Sequence, residues 1–233
     1  LTETVVYAGS EPKVTLTSGY SVENKRATRS GGLIYYPEVT SKKQIVLHHT
    51  AGFANPRQDV KGWRDNYNFA IGTHWIIDRE PRTGKIAEHV FGDKFWSNHI
   101  GASHYNNVAL NKMSLSIELT SIGWLTQMAG GKFKNYTGGS KTIEEYGGVS
   151  QPYKFDTLGN IVPMTEGYRG KNYFQSYTVA QLKELNKILK NWNSTYGINT
   201  TVDQYNFRDV FTSSNKRSDK ALSGQAGIYT HNS

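Results

Sequence analysis

The segment Gln44-Ile45-Val46-Leu47-His48-His49 is an apolar, β-branched run closed by Thr50-Ala51-Gly52. A short continuous apolar run bounded by turn residues is the pattern of a strand buried on both faces, so it predicts a strand inside a sheet. Successive strand side chains point to opposite faces. His48 and His49 therefore cannot both serve one centre, and only one of them is a candidate ligand. Working outward, Gly72 to Asp78 and Lys85 to Val90 flank Glu80-Pro81-Arg82-Thr83-Gly84 and read as a hairpin. Ser114-Leu115-Ser116-Ile117-Glu118-Leu119-Thr120 alternates at period two and predicts a further strand, with Glu118 inside it.

Helices are signalled at two places. Asn55-Pro56 starts a short one over Arg57 to Tyr67, with Pro56 at its first position. Thr178-Val179-Ala180-Gln181 matches a capping box, and Val179, Leu182, Leu185, Leu189 and Trp192 follow at helical spacing up to Gly197. Strands and helices thus alternate along the chain, with Gln44 to His49 expected as a central strand. Residues 1–42 alternate short β-prone runs with Gly, Ser and Pro and predict an N-terminal β-rich extension, an accessory segment before the main domain over 43–233. Residues 123–172, rich in Gly, Tyr, Lys and Ser without helical period, predict a long insertion lying on the surface as a hairpin. Gly227 to His231 predicts a last short strand or loop.

The chain has 233 residues, no cysteine, seven histidines and a formal net charge of +8. Without cysteine there are no disulfides, thiolate metal sites or thiol nucleophiles, so a transition metal would be held by imidazole and carboxylate. No stretch approaches the roughly 20 apolar residues of a membrane helix, which predicts no membrane insertion. The positive charge draws the chain to polyanions. Its Lys and Arg are scattered rather than gathered on one stripe, which disfavours nucleic acid and favours anionic wall polymers. A catalytic zinc takes three protein ligands and an open position. Spacing alone does not say which histidines converge.

Four segments, in order, carry a family resemblance. Ile45 to Gly52 is similar to the first metal-ligand strand of the type 2 N-acetylmuramoyl-L-alanine amidase and peptidoglycan recognition protein family. Gly72-Thr73-His74-Trp75-Ile76-Ile77-Asp78-Arg79 resembles its second strand, and Ser114 to Leu119 the strand that supplies a catalytic glutamate in its bacterial and phage members. Gly227-Ile228-Tyr229-Thr230-His231 resembles the start of its second zinc motif. Between them, Trp96 to Gly101 resembles the family's loop at the substrate groove, with two residues inserted between Trp96 and His99. The ordered combination is more specific than any one motif.

The resemblance implies an α/β amidase fold, a central mixed β-sheet flanked by helices, with residues 43–233 as a catalytic domain that binds Zn2+ through His48 and His231, uses Glu118 as catalytic base, and cuts the bond between N-acetylmuramic acid and L-alanine in peptidoglycan. A strand glutamate in a surface ion pair is the plain alternative for Glu118. His99, His74 and Trp96 are candidates for substrate contact, His99 and His74 also for support of the ligands, and His74 equally for packing. The groove is expected near Phe53, Trp96 and the 123–172 insertion. His89 and His104 match no motif. Thr73 stands where some relatives carry a catalytic tyrosine, a role Glu118 can cover. The family's third ligand, Asp or Cys, follows its second His, whereas the sequence here continues for two residues after His231. The expectation is a ligand beyond Ser233, with Asp209 or Asp219 as a substitute. The setting implied is the bacterial wall or periplasm, as a phage lysis or virion protein attached to a larger assembly. The alternative is a non-catalytic peptidoglycan-binding module.

Overall fold

The computed structural model describes residues 13–15, 21–23, 34–51, 56–66, 70–82, 85–101, 107–135, 138–142, 161–168, 170–200 and 218–231. Phe53, His104 and Asp209 lie outside them.

The buried run at 44–49 forms β3 (Gln44–His49) of a five-stranded mixed sheet. Lys13–Thr15 (β1) and Ser21–Glu23 (β2) pair antiparallel as a separate ribbon ahead of it. The main sheet adds β4 (Trp75–Arg82), β5 (Lys85–His89), β6 (Ser114–Leu119) and β12 (Gly227–Thr230), in the order β12-β3-β6-β4-β5. The first four run parallel and β5 returns antiparallel beside β4. Every residue of β6, the middle strand, is buried.

The two faces are covered differently. Ile45, Leu115, Ile117, Ile77 and Ala87 pack under Ile188 and Trp192 of helix α3 (Val179–Tyr196). That helix starts at the anticipated capping box, where Gln181 N–H donates to Thr178 Oγ1, and ends at Gly197 in the left-handed conformation. Helix α1 (Pro56–Asn66) covers the other face, placing Val60 and Trp63 against Ile76, Ile34, Tyr35 and Phe91. The central mixed sheet flanked by helices is as expected. Residues 34–42, grouped by sequence with the N-terminal segment, contribute Ile34 and Tyr35 to this core.

The long insertion departs from the single surface hairpin. Its described residues build a second five-stranded antiparallel sheet, in the order β10-β11-β7-β8-β9, from β7 (Trp124–Gln127), β8 (Lys132–Asn135), β9 (Ser140–Thr142), β10 (Ile161–Tyr168) and β11 (Lys171–Gln175). The sheet has its own small core of Ile122, Leu125, Phe133 and Ile161, with Tyr173 packed against it.

This sheet joins the main one where β3 ends. Thr50 Oγ1 and Ser121 exchange hydrogen bonds, and Gly123, at φ +74°, lies against the His49 ring. A Cβ at Gly123 would stand 2.5 Å from His49 Nε2. Left-handed backbone and overpacking add here, so Gly123→Ala is expected to lower folding stability by about 2–4 kcal/mol. Urea unfolding checks this, and an unchanged midpoint would show that the junction yields.

Candidate active site

Parallel strands β12, β3 and β6 finish at the same edge of the sheet, and their last residues supply the site. His48 and Glu118 are partners in the β3–β6 register. Thr230 pairs with Leu47, and the next residue, His231, donates its backbone N–H to Leu47 O at 2.8 Å. Partners in register share a face and neighbouring strands lie about 4.8 Å apart, so His231, His48 and Glu118 form one row. The His48 and His231 ring centroids are 4.5 Å apart. His48 and Glu118 are buried, while His231 sits exposed at the rim. His49, one residue on, belongs to the opposite face.

A third imidazole reaches the row from the loop before helix α2 (Asn107–Met113). His48 Nε2 and His99 Nδ1 are 3.1 Å apart, and His99 Nε2 is 2.9 Å from Ser114 Oγ. Asn111 Oδ1 accepts the backbone N–H groups of both His99 and Ile100. Behind the loop, the buried Lys42 ammonium donates to the carbonyls of Phe95, Lys112 and Ser114. The fold thus holds His99 from several directions.

The electrostatics favour neutral rings. Burial, then the neighbouring His231, His99 and His49, pushes His48 well below the usual histidine range. Burial does the same to His99, reinforced by His74, His231 and Lys42, and the partial cover its ring has at the rim lowers His231 too. Neutral imidazoles keep one lone pair each for a cation. Glu118 moves the other way: burial, then Asp59, raises it to about 8. Asp59, on α1, is itself raised to about 6 by burial and by Asp78, and its Oδ2 is buried with no hydrogen-bond partner among the described residues. The Tyr177 hydroxyl, held up at about 12 by burial and by Glu118, completes the surroundings. Neither Asp59 nor Tyr177 carries a sequence signal beyond its residue type.

Two expected substrate contacts are placed elsewhere. His74 has no exposed surface. Its Nδ1 accepts from Ser116 N–H at 3.0 Å, its Nε2 lies 3.1 Å from Phe95 O, and its ring packs on Phe91, as a satisfied core histidine does. Trp96 is 7% exposed, stacked on Tyr36 at 4.1 Å, with its indole N–H donated to Glu38. His89 is buried against Asp93, with Nε2 3.0 Å from Oδ1, and Asp93 also accepts the Trp192 and Trp75 indoles.

His48 and His231 match the nitrogen-donor chemistry of zinc. No group of three or more His, Cys, Asp or Glu among the described residues is placed to hold a metal ion. Asp219 is on helix α4 (Asp219–Leu222), whose Ala221 carbonyl accepts from the Gln44 amide at the start of β3. At about 3.3 Å per strand residue, that is roughly 13 Å from His48, at the wrong end of the strand. Among the described residues no helix is long and apolar enough to cross a membrane.

No protein-family model and no curated protein matches the chain. A solved structure similar to it is the N-acetylmuramyl-L-alanine amidase AmiD from E. coli, in complex with the substrate anhydro-N-acetylmuramic acid-L-Ala-D-gamma-Glu-L-Lys. The match has 18% identity and a TM-score of 0.36, and covers 78% of this chain and 52% of that one. The chain thus spans about half the length of that relative.

Proposed function

We propose that this chain is a zinc-dependent amidase that hydrolyses the bond between N-acetylmuramic acid and L-alanine in peptidoglycan. The observation that carries this reading is the row of His231, His48 and Glu118 across three consecutive parallel strands, two neutral nitrogen donors beside one buried carboxyl. The choice of peptidoglycan rests on the family resemblance of the segments that hold these residues.

When bound by His48 and His231, zinc would polarise the scissile carbonyl and make a water more acidic. The rest is the work of Glu118. Its carboxylate accepts a proton from the attacking water and returns it to the departing L-alanine nitrogen. In the metal-free protein burial keeps most of this carboxyl protonated at pH 7, and a nearby dication favours its ionised form. The low-dielectric pocket thus serves a group that must both take and give a proton.

The test is incubation of purified protein with purified cell wall, with and without zinc, scored by release of stem peptides bearing a new L-alanine amino terminus. Zinc-dependent release is expected. Bound zinc without release would overturn the amidase reading. Tight muropeptide binding without zinc would favour the recognition module instead.

A further inference from the structure

We propose that His99 is a positioning residue, which with Ser114 fixes the tautomer and orientation of His48 so that His48 Nδ1 is the ligating atom. The proposal rests on the reading of His48 as a zinc ligand and goes beyond it by choosing, between the two roles the sequence left open to His99, support of the metal site, and by assigning the atoms through which it acts.

The assignment follows from counting protons along a chain of contacts. The Ser114 hydroxyl has one hydrogen, and Oγ stands 2.7 Å from Leu110 O, a carbonyl that can only accept. Towards His99 the same oxygen must therefore accept, so the proton of His99 is on Nε2, 2.9 Å away. That leaves His99 Nδ1 as a lone pair. The Nε2 of His48, 3.1 Å from it, must then carry the hydrogen and donate. A neutral imidazole with its proton on Nε2 has its only free lone pair on Nδ1.

The relay is anchored at both ends. Leu110 belongs to α2 and Ser114 starts β6, so the terminal acceptor is rigid backbone. The His99 backbone is clamped by Asn111 Oδ1 at 3.1 Å, and Asn111 Nδ2 donates in turn to Asn98 Oδ1. A histidine contacting substrate needs an open ring edge. Here both nitrogens of His99 face protein groups.

Zinc affinity, measured by competition with a chromophoric chelator, separates this role from others, because a metal-bound histidine whose outer partner is lost typically binds about 10–100-fold more weakly. His99→Leu, which removes the acceptor for His48, is expected to show that loss. His99→Asn places an amide oxygen near the position of Nδ1 and should recover affinity to within a few-fold of wild type. Ser114→Ala, a milder change, should fall between them, and circular dichroism establishes that each variant is folded. Full affinity in His99→Leu overturns the relay. Losses in His99→Leu and His99→Asn that both equal that of His48→Ala would instead make His99 a direct ligand. Unchanged affinity in His48→Ala would remove the underlying reading of His48, an outcome distinct from either.

Discussion

Replacing Glu118 by Gln is expected to lower release of stem peptides from purified wall by about 10²–10⁴-fold, the span typical of losing a general acid–base group, and to make the metal-free protein more stable. Gln keeps the shape of the side chain but holds no exchangeable carboxyl proton. Zinc content should not change, because in the proposed mechanism Glu118 acts beside the ligands and is not one of them. The stability gain follows from linkage. Unfolded, Glu118 ionises near 4.5, whereas in the fold burial and Asp59 hold its proton until about 8. Between those values the folded state binds more protons than the unfolded chain, so rising pH costs wild-type stability. The cost is complete above about 8 and corresponds to roughly 3–5 kcal/mol. Denaturant unfolding of metal-free wild type and Glu118→Gln at pH 5 and pH 8.5 should give curves that diverge at the higher pH. Equal differences at both pH values would show that Glu118 is not held protonated, and retained hydrolysis would remove it from the mechanism.

Which parts of the site could be read from sequence depended on the elements that carry them. Glu118 and His48 lie in strands whose apolar patterns locate them, and register then puts them side by side. His231 follows a strand of four residues, too short to stand out without the resemblance of its motif. Asp59 was not legible. It lies on a helix with few apolar residues, and only the folded packing of α1 brings it towards Glu118. His74 shows the converse limit, since a strand histidine suits core or surface equally and only Ser116 and Phe95 settle it. The second sheet escaped for a topological reason. Leu125, Phe133, Ile161 and Tyr173 are far apart in sequence, and β11 lies beside β7 rather than making a sequential meander.

His48→Ala is expected to weaken zinc binding by more than about 10²-fold, beyond the usual loss from an outer-shell change, and to abolish zinc-dependent hydrolysis. Its second consequence is visible without metal. In the fold burial, then His231, His99 and His49, holds His48 well below 6.5, and burial, then His74, His231 and Lys42, does the same to His99, while in the unfolded chain both titrate near 6.5. Below 6.5 the unfolded state therefore binds more protons, and wild-type stability falls as pH falls. This runs opposite to the Glu118 effect, and the two overlap between about 4.5 and 6.5. The variant isolates the histidine part, because one buried neutral imidazole leaves the balance. The difference in unfolding free energy between metal-free wild type and His48→Ala should thus shift in favour of the variant as pH drops from 7 to 5. At pH 7 the variant should instead be less stable by about 1–3 kcal/mol, since His99 Nδ1 is left without its donor. A difference that does not change with pH would mean that His48 is not buried neutral in the fold, and the row of His231, His48 and Glu118 would lose its electrostatic basis.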